Sequence, residues 1–221
     1  MIEFDTSALE PRDVYFLLTS AVVPRPIAWV STVDAQGRAN LAPFSYFNVA
    51  STDPPILHFT TTGLKDSSRN AQETGEFVVQ IVSDGLKDQM RVSSADFPPE
   101  ADEFEWAELE TAPSKLVRPP RVAAARVAFE CRLREVIRMG AGHMVFGDVV
   151  YVHVAPDVWR NGRIDMELLQ PVGRLSGMSY STVESIYRLP LPDWVQGKVD
   201  DYQVYGGAPA LEDAPGNAEK R

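Results

Sequence analysis

The chain has 221 residues, of which 44% are hydrophobic, and a formal net charge of −10 at pH 7. This acidic balance excludes a protein that holds nucleic acid through clustered Lys and Arg, and no apolar run reaches the roughly 18 residues of a membrane-spanning helix. The one cysteine, Cys131, and an acidic N-terminus unlike a signal peptide lead us to expect a cytoplasmic protein.

Short segments rich in β-branched and aromatic residues recur along the chain and predict a mainly β fold. These segments are 27–33, 56–61, 77–82, 127–136 and 144–154. The first is joined to an extended stretch, 38–44, by Asp34-Ala35-Gln36-Gly37, a composition typical of a hairpin turn. Because few helices separate the strands, the sequence favours an antiparallel barrel over a doubly wound sheet.

Two short helices are predicted between these strands. Asp66 can cap a helix that runs to Thr74, where Gly75 is placed to end it, and a second helix is expected over 86–92.

The segment 127–136 alternates in a way that predicts one buried and one mostly exposed face. Ala128 and Glu130 fall on the face expected to be exposed. The alternation slips at Glu135-Val136, which predicts a bulge there.

Two segments lie outside this pattern of strands. Residues 93–120 form a proline-bearing, acidic excursion that can be either a covering loop or a functional lid, and the role of its 95–110 part stays open. Residues 197–221 are rich in Gly, Pro, Ala and acids, so we expect one domain over 1–196 followed by a flexible or dimer-clasping tail.

The stretch Lys65-Asp66-Ser67-Ser68-Arg69-Asn70 places cations, hydroxyls and an amide around the predicted start of a helix. Exposed N–H groups and the positive end of the helix dipole make such a place suitable for a phosphate. From these six residues alone, an ordinary capped surface helix explains the pattern equally simply.

The stretch Pro43-Phe44-Ser45-Tyr46-Phe47-Asn48 alternates aromatic and small polar residues. An extended backbone of this kind can offer N–H and C=O groups to the edge of a flat heterocycle such as flavin. A strand with aromatic residues in the core and polar residues in turns is the alternative.

Four segments together resemble the flavin reductase-like family with an FMN-binding split barrel, which includes flavoredoxins and the small component of nitrilotriacetate monooxygenase. The resemblance spans about residues 10–180, and the segments that carry it are PRPIAWVSTVDAQGRANLAPFSYFNVASTDPPILHF, KDSSRNAQETGEFVVQIV, DEFEWAELETAPSKLVRPPRVAAARVAFEC and GHMVFGDVV. It implies a six-stranded antiparallel Greek-key split barrel and a homodimer with FMN near the subunit interface.

The resemblance also implies which residues form the site. It puts the flavin ring and ribityl chain near one group of residues and the phosphate near another; the first group is Ser31, Thr32, Ser45, Tyr46, Phe47 and Asn48, and the second is Lys65, Ser67, Ser68 and Asn70. Ser51, which follows the 43–48 stretch, is a further candidate contact from its polar side chain alone. Arg174, with Tyr180, either closes the cofactor pocket or pairs with an acid at a subunit contact.

The histidines of the chain are interpreted separately. His143 falls where the family approaches flavin and nicotinamide, although the acidic residue that precedes this histidine in relatives is missing, so a structural hairpin corner is the alternative. His58 and His153 lie within apolar strands and are expected to be structural, and three scattered histidines predict no metal site.

The chain has no GxGxxG, GxxxxGK[ST], G-x-S-x-G or HExxH motif, so Rossmann, P-loop and common hydrolase sites are not indicated. The function expected from the resemblance is an FMN-dependent flavin reductase that takes hydride from NADH or NADPH and passes electrons to an acceptor or a partner monooxygenase. The alternatives are a flavoredoxin-like electron-transfer or flavin-binding protein without NAD(P)H activity, and a barrel that binds haem or a deazaflavin. Whether FMN stays bound or exchanges is left open.

Overall fold

Strands make up most of the regular structure. The computed structural model describes residues 1–98 and 101–187. Their strands, in chain order, are β1 (Arg25–Pro26), β2 (Ala28–Val33), β3 (Ala39–Phe44), β4 (Phe47–Thr52), β5 (Pro55–Thr62), β6 (Glu76–Ile81), β7 (Thr111–Ala112), β8 (Arg121–Val122), β9 (Val127–Met139), β10 (Gly142–Val154), β11 (Trp159–Arg160), β12 (Arg163–Ile164), β13 (Gly173–Arg174) and β14 (Tyr180–Ser181).

The helices of the described residues are short. They are α1 (Pro11–Ala21), α2 (Asp66–Thr74), α3 (Lys87–Val92), α4 (Glu103–Trp106) and α5 (Met166–Leu169), with 3-10 turns at Thr6–Ala8, Asp84–Leu86 and Pro156–Val158. None of the helices in this part of the chain has the length and apolar character needed to cross a bilayer.

The central sheet has seven antiparallel strands in the order β3-β2-β6-β9-β10-β5-β4. Its two edge strands, β3 and β4, are consecutive in the chain and are separated only by Ser45 and Tyr46. A two-residue connection cannot span an open sheet, since each residue extends the chain by at most about 3.6 Å. The sheet must therefore curl until its edges meet, and the backbone N–H of Thr60 in β5 donates to the Tyr46 carbonyl at 2.8 Å in this corner.

The predicted mainly β antiparallel barrel with few helices is confirmed. The sheet has seven strands rather than the expected six because the 39–52 stretch is bent at Ser45-Tyr46 and contributes to both edges. Counted as one bent strand, it leaves six. The predicted hairpin between 27–33 and 38–44 is also confirmed, as β2 and β3 pair from Ala28–Phe44 to Val33–Ala39.

The interior of the barrel is filled by side chains from β2, β4, β5, β6, β9 and β10. This core consists of Ala28, Val30, Phe47, Leu57, Phe59, Ala71, Phe77, Val79, Cys131 and Val145. Burial raises the pKa of the Cys131 thiol far above its ordinary value, so this cysteine behaves as a small apolar core residue.

A second core lies outside the barrel and fixes the acidic excursion. Trp29 is fully buried and donates from Nε1 to Ser93 Oγ at 2.9 Å, and Phe104 of α4 is 2% exposed in the same cluster. The part of the excursion around Phe104 therefore serves as a covering layer, as one of the two interpretations predicted. The other interpretation, that the excursion is a functional lid, stays a prediction for residues 95–98.

Both predicted helices are confirmed, with one correction at the start of α2. The helix spans Asp66–Thr74 and ends at Gly75, whose φ of 75° lies in the left-handed region that glycine adopts easily. Lys65, not Asp66, is the N-cap residue, and Asp66 is the first helical residue. The second helix, α3, covers Lys87–Val92 after a 3-10 turn at Asp84–Leu86.

The expected exposed face of β9 is wrong at Ala128 and Glu130, which are both 0% exposed. The segment 111–122 covers them, because the Glu130 carboxylate accepts hydrogen bonds from the backbone of Lys115 and Leu116. The predicted bulge is present but lies at Arg134, since Glu135 pairs with Phe146 and Leu133 pairs with Gly147. The tail predicted over 197–221 lies outside the described residues.

Candidate functional site

A cleft of about 410 Å³ opens where the two edges of the barrel meet. Ser45 and Tyr46, the two residues of the closing corner, line it, and Thr60 and Thr62 line it from β5. These two residues lie between strands rather than within them, because the corner joins the first strand of the sheet to the last. The cleft volume lies within the range of about 300–1,000 Å³ typical of small-molecule sites.

The charge of this cleft is opposite in sign to the charge of the chain. Its lining, among the described residues, includes three cations, Arg25, Lys65 and Arg174, and no Asp or Glu. The whole chain carries a formal charge of −10. Charges within a Debye length of about 8 Å count most, so the cleft lining itself favours an anion, whereas the cavity that adjoins it at Lys65 is lined by Asp66, Asp96 and Glu103.

Lys65 stands at the start of α2, beside a second cavity of about 330 Å³ that shares Pro43, Phe44, Lys65 and Ser94 with the cleft. Ser68 forms a capping pair with Lys65: its hydroxyl donates to the Lys65 carbonyl at 2.8 Å and accepts from the Lys65 N–H at 3.1 Å. Ser67 lines the second cavity and accepts from Asn40 Nδ2 at 2.9 Å. The helix start is therefore held firmly against the two cavities.

The Lys65 ammonium is free to approach a ligand because its protein contact is weak. Its Nζ lies 3.2 Å from Asp96 of the acidic excursion, and the two side chains are 54% and 96% exposed. A solvent-exposed pair of this kind contributes about 0–1 kcal/mol. A phosphate in the cleft can compete with Asp96 for this lysine.

Four of the predicted cofactor residues, Ser45, Tyr46, Lys65 and Arg174, line the cleft, and Ser67 lines the adjoining cavity. The other seven lie elsewhere in the protomer. Ser31, Thr32, Ser68 and Asn70 are buried within the protein, Phe47 belongs to the barrel core, and Asn48 and Ser51 lie on β4 outside the lining.

Hydrogen bonds within the chain occupy the buried polar members of this group. Ser31 Oγ donates to the Pro120 carbonyl at 2.6 Å, and Asn70 Nδ2 donates to Thr32 Oγ1 at 3.1 Å. These contacts fasten β2 to α2 and to the excursion. Some of the polar residues around the start of α2 therefore hold the helix in place rather than line the cleft.

His143 does not line the cleft. It pairs with Thr61 across the β10–β5 ladder, whereas the cleft is lined by Thr60 and Thr62. Successive residues of a strand point to opposite faces, so His143 lies on the face away from the cleft. Its Nδ1 is buried without a hydrogen-bond partner among the described residues.

The other two histidines have structural surroundings, as predicted. The His58 ring lies 5.4 Å from the Phe146 ring, and burial lowers the pKa of His58. His153 Nε2 lies 2.6 Å from the buried carboxylate of Glu130. Within the described residues, no group of three potential ligands is arranged to hold a metal ion.

Arg25 is a cleft residue that the sequence reading missed. Its side chain is buried, and its Nη1 donates to the Thr19 and Val22 carbonyls at 2.8 Å each while Nη2 donates to the Leu175 carbonyl at 2.9 Å. The available signal was an arginine between two prolines directly before a strand that is buried along its whole length.

Aromatic side chains surround these cations. The Arg25 guanidinium lies 6.0 Å from the centre of the Tyr46 ring, and the Arg174 guanidinium lies 4.6 Å from that of Tyr180, whose hydroxyl it also contacts. Burial and nearby Tyr15 raise the pKa of Tyr46, with Arg25 acting in the opposite direction, so the phenol stays neutral and can donate a hydrogen bond. The cleft thus combines flat rings, neutral donors and positive charge.

The comparisons with known proteins agree with this arrangement. The flavin reductase like domain matches residues 20–167. Nitrilotriacetate monooxygenase component B from Bacillus cereus is 35% identical, with a TM-score of 0.84 over 86% of this chain and 98% of that one. The 2-nitrobenzoate 2-nitroreductase of Pseudomonas fluorescens is 32% identical, with a TM-score of 0.82 over 87% of this chain and 98% of that one.

A third structure identifies the architecture. A Shewanella frigidimarina protein, described as a flavin reductase with a split barrel domain, has a TM-score of 0.78 at 23% identity over 87% of this chain and all of that one. The barrel that closes at Ser45-Tyr46 is therefore a split barrel. The match to residues 20–167 shows that the chain belongs to the flavin reductase-like family.

The cleft suits the flavin that this family implies. A flavin has a flat ring, polar edges and, in FMN, a phosphate dianion. The tyrosine rings and Phe44 offer flat apolar surface, Ser45 and Tyr46 carry hydroxyl groups, and Lys65 offers a charge at a helix start.

Proposed function

We propose that the protein binds FMN in the cleft at the barrel closure and is an oxidoreductase of the flavin reductase type. The reaction would take hydride from NADH or NADPH and pass electrons to an acceptor or to a partner monooxygenase. The observation that carries the proposal is a cleft with three cations and no carboxylate, among described residues, in a chain of net charge −10. Family membership and the likeness to a monooxygenase component support it.

When bound, FMN supplies the two-electron chemistry, and the protein supplies binding and orientation. Ser45 and Tyr46 would hold the polar edge of the ring, and Lys65 with the first turn of α2 would hold the phosphate. Ser67, Ser68 and Asn70 would act through the position of that helix start. No protein acid or base is needed for hydride transfer, so substitutions in the cleft should change affinity more than the chemical step.

The other predicted residues enter the proposal in different ways. Asn48 is exposed and Ser51 is half-buried on β4, outside the cleft lining, and both would contact the flavin only in a homodimer that has flavin near its interface. Ser31, Thr32 and Phe47 would support the cleft from within the barrel. His143 lies on the strand face away from the cleft, so it would take part only if the ligand also reached that face. A cytoplasmic location remains part of the proposal.

One spectroscopic experiment separates reductase activity from simple flavin binding. FMN is added to the full chain, unbound flavin is removed, and NADH or NADPH is added without oxygen while the flavin absorption band is recorded. We expect the band to bleach with at least one donor. A protein that keeps its flavin and does not bleach with either donor would instead be a flavoredoxin-like electron-transfer protein.

The same sample also distinguishes the two ways of using flavin. A protein that stays yellow after gel filtration holds FMN as a prosthetic group. A colourless protein that still oxidises NADH or NADPH when free FMN is supplied uses FMN as an exchanging substrate.

A further inference from the structure

Two arginines face each other across a small sheet at the cleft. Arg25 of β1 and Arg174 of β13 are directly opposed in the antiparallel register, and both line the cleft. Opposed residues of an antiparallel pair share a face, and like charges in that position are destabilising. Within the described residues, neither arginine is paired with a carboxylate.

The Arg25 guanidinium is a buried charge with unused donors. The residue is only 8% exposed, and three of the five N–H groups that an arginine carries donate to carbonyls. Its Nε is buried with no partner among the described residues. Burying a charge is costly unless an opposite charge and full hydrogen bonding compensate it, so the unused N–H groups of Arg25 favour an anionic partner.

A structural role for Arg25 explains part of its surroundings. Its bonds to the Thr19 and Val22 carbonyls satisfy the C-terminal end of α1, where a cation is also favoured by the helix dipole. That role accounts for how the side chain is held. It does not account for Arg174 opposite, or for the absence of a nearby acid in the described structure.

The arginine pair is separate from the proposed phosphate site. Lys65 lines both the cleft and the adjoining cavity, together with Phe44 and Ser94, whereas Arg25 and Arg174 line only the cleft. Lys65 therefore lies at the junction of the two cavities, whereas the two arginines belong to the lining of the cleft alone. A phosphate held at Lys65 and α2 leaves the arginine pair without a counter-ion.

We propose that Arg25 and Arg174 form a second anion subsite, which binds the anionic oxygen group of the aromatic molecule that exchanges electrons with the flavin. The subsite rests on the proposed function and specifies its second substrate. Two sources fit this chemistry, a phosphate of a nicotinamide dinucleotide and the carboxylate of an aromatic acid. Tyr15, Tyr46 and Tyr180 line the same cleft and supply flat surface and hydroxyl groups for the attached ring.

Isothermal titration of the FMN-loaded full chain tests this subsite without relying on turnover. One arm uses benzoate with benzamide as its neutral counterpart. The other arm uses 1,4,5,6-tetrahydro-NAD and 1,4,5,6-tetrahydro-NADP, which cannot donate hydride. The counterpart without phosphate is nicotinamide riboside with the same tetrahydro ring. The variants are Arg174→Met and Arg25→Lys, which keeps the charge at α1 but loses the planar fork.

Arg160→Met serves as the matched control, because Arg160 is exposed, does not line the cleft and donates to the carbonyls of Pro156 and Trp159. We expect Arg174→Met and Arg25→Lys to weaken the anionic probe of one arm at least tenfold while the neutral probe and the control are unchanged. The arm that responds identifies the source of the anion.

The FMN affinity of every variant is measured first, so that failure of the subsite is distinguished from failure of the proposed function. If the wild-type chain does not bind FMN, the proposed function itself fails, and the subsite fails with it. If FMN binds but no anionic probe binds, or if both cleft variants bind the anionic probes like the control, the subsite alone is overturned. Loss of FMN affinity in parallel with probe affinity would assign the arginines to the FMN phosphate instead.

Discussion

Glu130 shows how a single buried carboxylate can fasten a distant segment. Burial opposes its ionisation, but hydrogen bonds from His153 and from the Lys115 and Leu116 backbone outweigh that effect and hold the pKa of Glu130 below its ordinary value. A carboxylate with a depressed pKa stabilises the folded state above its unfolded pKa, about 4.3, and this stabilisation is lost as the pH falls through the folded pKa.

Replacing Glu130 with Gln should therefore destabilise the protein at neutral pH and flatten its acid response. The amide removes the charge and can direct an N–H group at a backbone N–H, which costs about 2 kcal/mol. We expect urea unfolding at pH 7, at fixed protein concentration, to show this loss, and a smaller decline than in the wild type as the pH falls below 5. Glu135→Gln, at an exposed site on the same strand, is the control, and equal effects of the two changes would contradict this role.

The burial of Glu130 and the cleft position of Arg25 could not be predicted from the sequence. Glu130 was expected to be exposed because strand alternation describes one sheet and contains no information about which distant segment will cover it. Arg25 was overlooked because its partners, the carbonyls of Thr19, Val22 and Leu175, are backbone groups that no sequence pattern distinguishes.

Strand β10 depends on a glycine at the centre of the barrel. A Cβ atom added at Gly147 would lie 2.3 Å from Phe77 Cζ and 3.0 Å from Cys131 Cβ. Phe77 is 0% exposed and packs edge-on against Phe59, so its ring has little room to move away. The close approach of β10 to the core thus requires the missing side chain.

The Gly147→Ala variant should consequently lose about 1–3 kcal/mol of unfolding free energy, as is usual for overpacking. Gly85→Ala is a matched control, since nothing lies within 4 Å of a Cβ atom at Gly85 and its φ is not in the left-handed region. The urea midpoints of both variants give the comparison. If the Gly147 variant is as stable as the Gly85 variant, the packing of Phe77 and Cys131 around Gly147 is not as tight as the structure indicates.

At the scale of elements, local signals predicted those structures whose causes are local. The turn at Asp34–Gly37 and the stop at Gly75 depend on residues within a few positions, and both the hairpin and α2 formed where expected. The bulge in β9 lay at Arg134, near its expected position, because its register is fixed by pairing with β10 rather than by β9 alone.

The cleft is formed by the whole molecule rather than by any one motif. Ser45 and Tyr46 line the cleft because the barrel closes there, and Lys65 and Arg174 reach it from α2 and β13. The sequence identified four lining residues through the family resemblance, but the same resemblance also selected residues that anchor α2. Only the closed sheet distinguishes Ser45, which lines the cleft, from serines such as Ser31 and Ser68, which are buried and hydrogen-bonded within the chain.

The acidic surface and the cationic cleft together account for selectivity at this scale. A net charge of −10 opposes nucleic-acid backbones, whereas a lining with three cations and several aromatic side chains favours a small anion that carries a flat ring. We propose that this ligand is FMN, with its phosphate at Lys65.

Titration of the full chain with FMN and with riboflavin, followed by quenching of flavin fluorescence, tests this claim most directly when it is repeated on Lys65→Glu. We expect FMN to bind at micromolar concentration or below, at least tenfold more tightly than riboflavin, and the charge reversal to remove most of that difference while riboflavin affinity stays the same. Failure of FMN to bind, or an unchanged ratio of the two affinities in the variant, would contradict the account.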